Sequence, residues 1–257
     1  MTTAGIDMGA KTIKVVILKD GNVLARALAV SGFETRESAE EALNTALGKA
    51  GLTLKEVDRI VSTGAGRKEA PHTNDNITEV GAGARGIHFL FPSVRTLIDV
   101  GAEEGRGIKC SPEGKVLDFV VNEKCAAGAG SFTESMARAL EVSLEEFGKM
   151  SLTSDKEIPM NAQCAVFAES EVVSLIHAKT PKADIAKAVH DAIASRVISM
   201  VRRVGVDKDI ALIGGVAYNV GFVASLKHGL ETDVILPENP EYIVALGAAL
   251  AAAEYHN

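Results

Sequence analysis

The 257-residue chain contains no tryptophan and only three cysteines, Cys110, Cys125 and Cys164. Three cysteines so widely spaced build no disulfide framework, which fits a reducing compartment. No apolar run reaches the roughly 18 to 20 residues of a membrane span, and the start MTTAGIDMGAK lacks the basic-then-apolar order of a signal peptide. The chain therefore reads as cytoplasmic, with no membrane partner. A basic stripe is missing too: 27 Lys and Arg face 34 Asp and Glu, a net charge of −7, which argues against a nucleic-acid partner. The six histidines show no HExxH-type spacing, so a zinc site is not expected. What remains is globular: 47% hydrophobic and 24% charged residues, enough for one large core or two lobes. Abundant Ala and Gly suggest close backbone packing.

Strand-like and helical patterns alternate, which favours α/β architecture. GIDMG and the strand TIKVVILKD lead to a predicted Gly21-Asn22 turn and a second strand VLARALAV, a hairpin. A helix is predicted over Ser38 to Ala50, then a strand VDRIVSTGAGR. Arg95 to Val100, GAEEGRGIKC, a Glu113-Gly114 turn and KVLDFVVN repeat the first unit: aspartate, glycine, a basic residue and another strand. An internal duplication follows, predicting two similar lobes facing across a cleft.

Cys125 in KCAAGAG and Cys164 in NAQCAVFAES each sit in a small-residue turn that opens onto a helix-like stretch. Exposed N–H groups and the helix dipole stabilise a thiolate or a cluster sulfide there. A cubane iron–sulfur cluster usually takes four thiolates, more than this chain offers. Two copies giving two thiolates each would hold one; the plain alternative is a pair of buried, inert cysteines. Cys110, in the strand-like GIKC, reads as a small packed residue.

Three glycine turns suit phosphate and nucleotide chemistry. In Asp7-Met8-Gly9-Ala10-Lys11-Thr12 the glycine lets backbone approach an anion, Lys11, Thr12 and Lys14 add donors and charge, and Asp7 would sit near hydrated magnesium. Asp99-Val100-Gly101-Ala102-Glu103-Glu104 would repeat this, with carboxylates placed for metal or water. ALIGGVAYNVGF follows a strand and precedes a helix, so Gly214 and Gly215 would let adenine approach the main chain. Each turn read alone is also an ordinary tight turn or β-to-α connection.

The order of these motifs, with TGxGR at Thr63 to Arg67 and ALGAAL near the end, resembles the BadF/BadG/BcrA/BcrD ATPase family, within the acetate kinase, sugar kinase, Hsp70 and actin superfamily. The resemblance implies a two-lobed fold with duplicated ribonuclease H-like lobes. Residues 1–92 with a C-terminal helix over 241–257 would form the first lobe. Residues 93–240 would form the second, carrying both cysteines and the adenosine turn. The resemblance also implies a [4Fe-4S] cluster shared between two subunits through Cys125 and Cys164, ATP or ADP with Mg2+, and ATP-driven electron transfer. Asp7, Asp99, Glu103 and Glu104 are the acidic residues expected at the reaction. Gly9, Ala10, Lys11, Thr12, Lys14, Gly101, Ala102, Gly128, Ala129, Gly130, Gly214, Gly215, Val216 and Asn219 are those expected to hold cofactors. Implied partners are a second copy or a homologous ATPase subunit, the CoA-ester-binding subunits of a reductase or dehydratase, and a ferredoxin-type electron donor. ATP closing the lobes would turn one subunit against the other and change the surroundings of the shared cluster.

Departures narrow the resemblance. The second phosphate turn reads DVGAEEGR where dehydratase activators carry DxGGQD, placing Glu103 at the glutamine and Glu104 at the aspartate. That variant, and PMNAQCAVFAESE around the second cysteine, look more like the D-type ATPase subunit of benzoyl-CoA reductase. Ala65 replaces a tyrosine that many relatives carry. The expected function is ATP-hydrolysing delivery of low-potential electrons to a benzoyl-CoA reductase. The alternatives are activation of a 2-hydroxyacyl-CoA dehydratase, a sugar or N-acetylhexosamine kinase, and a nucleotide-sensing module without turnover.

Overall fold

The computed structural model describes residues 1–122, 129–160 and 165–254, with residues 129, 165 and 166 as backbone only. The first sheet is built from β1 (Thr2–Met8), β2 (Thr12–Lys19), β3 (Asn22–Val30), β4 (Arg59–Thr63) and β5 (Asp75–Asn76). The second holds β6 (Thr96–Val100), β7 (Gly105–Cys110), β8 (Val116–Asn122) and β9 (Ile210–Ile213). Their spatial orders are β3-β2-β1-β4-β5 and β8-β7-β6-β9. Both share one wiring, a three-strand meander whose first strand takes a later strand on its free side, so the duplication legible in the sequence is present in the topology.

The chain divides into two compact units. The first comprises Met1–Leu97, Cys110–Leu117 and Glu241–Asn257; the second comprises Ile98–Lys109 and Asp118–Pro240. Relative to a division at residues 92 and 240, the first unit extends a few residues further and also takes the tip of the β7–β8 hairpin.

In the first unit β1 is buried along its whole length because helices cover both faces of the sheet. Ala4, Ile6 and Met8 point to α1 (Thr35–Ala50), whose Ala39, Ala42, Leu43, Ala46 and Leu47 follow helical spacing. Gly51 ends α1 in the left-handed conformation. On the opposite face Thr3 Oγ1 donates to the Ala249 carbonyl of α8 (Ile243–Glu254) at 2.9 Å. That helix packs on α2 (Glu79–Leu90) so closely that a Cβ on Gly247 would stand 1.7 Å from the Ala82 carbonyl oxygen. The small residues thus do the backbone packing that the composition suggests.

One turn differs from expectation. Lys19 pairs with Asn22, so the two loop residues are Asp20 and Gly21, not Gly21 and Asn22. Both have positive φ, 49° and 79°, the backbone twist that joins a tight hairpin without splaying its strands. Aspartate tolerates that conformation at the first position, which moves the turn back by one residue.

The second unit adds α3 (Ala129–Ala139), α4 (Leu144–Ser151), α5 (Ala165–His177), α6 (Lys182–Val201) and α7 (Val220–Leu230). Ser143 caps α4 with Glu146 returning the bond, the reciprocal pattern of a capping box. The 20-residue α6 lies centrally. Its Val189, Ile193 and Val197 join Ile98 and Val100 of β6, Leu212 of β9, Phe147 of α4 and Phe222 of α7 in one core. Loss of Phe222, fully buried there, would cost about 3–5 kcal/mol as alanine.

Candidate functional site

The first turn stands at the C-terminal end of β1. Asp7 and Lys14 are directly paired across β1 and β2, and Lys14 Nζ lies 3.2 Å from Asp7 Oδ2. Between them Gly9, Ala10 and Lys11 make the turn. A Cβ on Gly9 would come within 2.7 Å of the Thr12 carbonyl oxygen and 2.9 Å of Lys14 Nζ, so this position must be bare. Ser31 ties the turn down, donating from Oγ to the Gly9 carbonyl at 2.8 Å and from its N–H to the Lys11 carbonyl at 2.9 Å. Ala10 is exposed, and Gly9, Lys11 and Thr12 are partly so, which leaves the turn open to a ligand.

On the other side of β1 the parallel ladder sets Thr63 beside Asp7. Its hydroxyl is fully buried and has no hydrogen-bond partner. The TGxGR motif shapes this end of β1: Gly66 N–H donates to the Met8 carbonyl at 3.1 Å, and Arg67 Nη1 donates to the Gly64 carbonyl at 3.2 Å. Thr63 was not among the expected site residues. Its place in the motif, directly after a strand parallel to β1, was the available signal.

In the second unit β6 ends at Asp99 and Val100. Arg106 on β7 donates from Nη1 to Asp99 Oδ2 at 3.0 Å and from Nη2 to Glu104. Asp99 and Glu104, expected as carboxylates placed for metal or water, are therefore held together by a guanidinium, while Glu103 is exposed. Arg106 was not expected at the site, although its seven-residue spacing from Asp99 repeats that of Lys14 from Asp7. The Gly101 N–H closes the turn on the Glu104 carbonyl at 2.9 Å. The carbonyls of Gly101 and Ala102 receive the N–H groups of Gly130 and Ser131 at 3.3 and 2.9 Å, which joins the start of α3 to this turn.

The third turn meets the second. Gly214 has φ 89°, and a Cβ there would stand 2.3 Å from the Val100 carbonyl oxygen and 3.0 Å from Asp99 Oδ1. Only glycine allows both the conformation and the approach. Gly215 faces open space, with nothing within 4 Å of an added Cβ, and begins a 3-10 turn through Val216 to Tyr218. Asn219 caps α7, its Oδ1 accepting from the N–H groups of Gly221 and Phe222 at 3.0 and 3.1 Å. Asp99, Gly101, Ala102, Glu104, Gly130 and Gly214 are thus one cluster, with Gly215, Val216 and Asn219 leading away from it.

Cys125, Gly128 and Cys164 lie outside the described residues. The backbone of Ala129 begins α3, and α5 begins at Ala165; the two helices pack against each other. Among the described residues no group of three or more His, Cys, Asp or Glu would hold a metal. Cys110 is buried and free, and burial pushes its thiol up to about 11. No helix among the described residues is long and apolar enough to cross a membrane.

Duplicated sheets with an Asp-x-Gly turn after each first strand, and a glycine pair after β9, define an α/β fold of the sugar kinase and actin type. A glucokinase of Streptomyces griseus shares this fold at TM-score 0.61 and 12% identity, covering 99% of this chain and 100% of that one. The chain belongs to the BadF/BadG/BcrA/BcrD ATPase family, whose profile matches residues 4–252. The activator of lactoyl-CoA dehydratase of Anaerotignum propionicum is 39% identical over 254 residues, 99% of this chain and 98% of that protein. The activator of the 2-hydroxyisocaproyl-CoA dehydratase of Clostridium difficile, solved with bound ADPNP, has TM-score 0.93 at 38% identity and covers 99% of this chain and 95% of that one. The D-type subunit of the benzoyl-CoA reductase of Thauera aromatica is 32% identical over 266 residues, 99% of this chain and 94% of that protein.

Proposed function

We propose that this ATPase activates a CoA-ester enzyme, in the first instance a 2-hydroxyacyl-CoA dehydratase, by delivering electrons in an ATP-dependent step. The observation that carries the reading is full-length identity of 39% to the lactoyl-CoA dehydratase activator, against 32% to the benzoyl-CoA reductase component. Delivery to benzoyl-CoA reductase is the second reading, favoured by Glu103 and Glu104 in the second phosphate turn.

The residues present suit a magnesium nucleotide. Lys11, Thr12 and the bare backbone at Gly9 supply donors for phosphate oxygens, and Lys14 holds Asp7 by Oδ2, which leaves Oδ1 for a hydrated magnesium. The orphaned Thr63 hydroxyl beside Asp7 gains a partner when a ligand enters. Arg106 keeps a positive charge beside the second turn. Gly215, open on its Cα side, accepts the nucleoside against the main chain.

Cys125 and Cys164 would hold half of a [4Fe-4S] cluster, the other half coming from a second copy or a homologous protein. Two thiolates per chain, each shortly before a helix N-terminus, suit such a cluster. That cluster would supply one electron at a time at low potential. ATP and ADP would act through different affinities for two states of the protein, since a nucleotide that binds both equally shifts nothing. The assay is dehydratase activation: the chain, reduced anaerobically and mixed with a 2-hydroxyacyl-CoA dehydratase, should start turnover only with hydrolysable ATP. Turnover of a benzoyl-CoA reductase lacking its own D-type component, with none from the dehydratase, would move the assignment to the second reading. Phosphorylation of a hexose would overturn both.

A further inference from the structure

Asn219 joins two elements: it ends the 3-10 turn that begins at Gly215 and caps α7. Its Oδ1 is fully used by the Gly221 and Phe222 N–H groups. Its Nδ2 is buried and without a hydrogen-bond partner. Among the described residues of this unit, one other buried side-chain nitrogen is in the same position, Nε2 of His190 on α6.

The two are complementary. His190 Nδ1 lies 2.7 Å from the Ala186 carbonyl oxygen. A carbonyl only accepts, so Nδ1 carries the proton, and on a neutral ring Nε2 is left as an acceptor. Full burial keeps the ring neutral, lowering its pKa to about 4 against the smaller raising effects of the Ala186 carbonyl and Asp191. The ring is confined on several sides. Phe147 of α4 lies 4.7 Å away between ring centroids, and a Cβ on Gly221 at the start of α7 would stand 2.9 Å from His190 Cε1. A Cβ on Gly148 of α4 would stand 2.8 Å from Asn219 Oδ1. Three helices therefore converge on the two side chains, and bare positions on two of them make room.

We propose that His190 is a positioning residue for the adenosine turn, its Nε2 accepting from Asn219 Nδ2 and so fixing the amide that links the Gly214–Gly215 turn to α7. The proposal rests on the nucleotide-binding reading above. With both ends of the amide bonded, the cap has a single orientation, and the turn is held in its binding form before the nucleotide arrives. Leaving one donor and one acceptor buried and unmet would be costly, and mutual pairing removes both penalties.

The test compares His190→Phe and His190→Gln in the full chain, prepared anaerobically, by calorimetric titration with ADP and with inorganic tripolyphosphate. The phenylalanine fills the space without an acceptor, whereas the glutamine Oε1 restores one. His190→Phe should weaken ADP by about tenfold and leave tripolyphosphate within about twofold, and His190→Gln should recover most of the loss. Equal weakening of both ligands, or unchanged ADP binding, would overturn the proposal. Should His190→Phe fail to fold, the wild-type imidazole 15N spectrum at pH 6 decides: an Nδ1–H tautomer whose bare Nε2 couples through a hydrogen bond to Asn219 Nδ2 is expected, and an Nε2–H tautomer, or an Nε2 without that coupling, contradicts the pairing. A wild type that binds no ADP would sink the nucleotide reading, while that spectrum would still judge the pair.

Discussion

Arg106 donates to Asp99 across seven residues at 3.0 Å, and Lys14 holds Asp7 across the same interval at 3.2 Å. Each aspartate is the penultimate residue of the first strand of its meander and each cation lies on the second. The duplication has thus kept a charge pair as well as a topology. The copies differ in one respect: the Arg106 fork also engages Glu104, which a lysine at that position would not do with the same geometry.

Removing Arg106 should therefore cost more than removing Lys14. Side-chain exposures of 11% for Arg106 and 6% for Asp99 describe a largely desolvated pair, and deleting one partner strands the other. Arg106→Met should lower stability by about 3 kcal/mol, and Arg106→Lys should recover part of that. Urea midpoints of the two variants, measured beside Lys14→Met, check the order.

Thr63 separates binding from stability. Because its buried hydroxyl has no partner, Thr63→Val should leave the melting temperature unchanged or raised while weakening magnesium nucleotide by about fivefold. Differential scanning fluorimetry with and without nucleotide reads both quantities. A lowered melting temperature with intact affinity would return Thr63 to packing.

Acid should destabilise the protein through His190. The folded ring takes its proton only near pH 4, whereas the unfolded one does so near 6.5, so between these values the unfolded chain binds more protons. The contribution is complete above about pH 6.5 and is lost as pH falls toward 4, by about 3 kcal/mol at most. Urea titrations at pH 7, 6 and 5 should show a fall that is smaller in His190→Gln.

The cysteines should divide by reactivity. With its thiol pushed up to about 11, buried Cys110 stays protonated and shielded at pH 8. In apo-protein iodoacetamide should modify Cys125 and Cys164 and spare Cys110, as mass mapping would show.

The meanders and their aspartates were legible because strand alternation and Asp-x-Gly turns are local signals. The exact position of the hairpin turn was not legible because Gly21-Asn22 and Asp20-Gly21 offer similar residues, and strand register decides between them. Arg106 was not legible as a site residue because its role depends on a cross-strand neighbour. Thr63 depends on a parallel ladder between strands about fifty residues apart, and His190 on three converging helices. Such long-range pairings leave no periodic trace in a single chain.

Whether two chains share one cluster is read by iron and sulfide analysis of anaerobically purified protein, alone and with neighbouring gene products, with EPR of the reduced sample. About four irons per two chains, with a signal that changes when ATP is added, is the predicted result. No iron in either preparation under strict anaerobiosis would contradict it, returning Cys125 and Cys164 to packing roles and promoting a kinase reading.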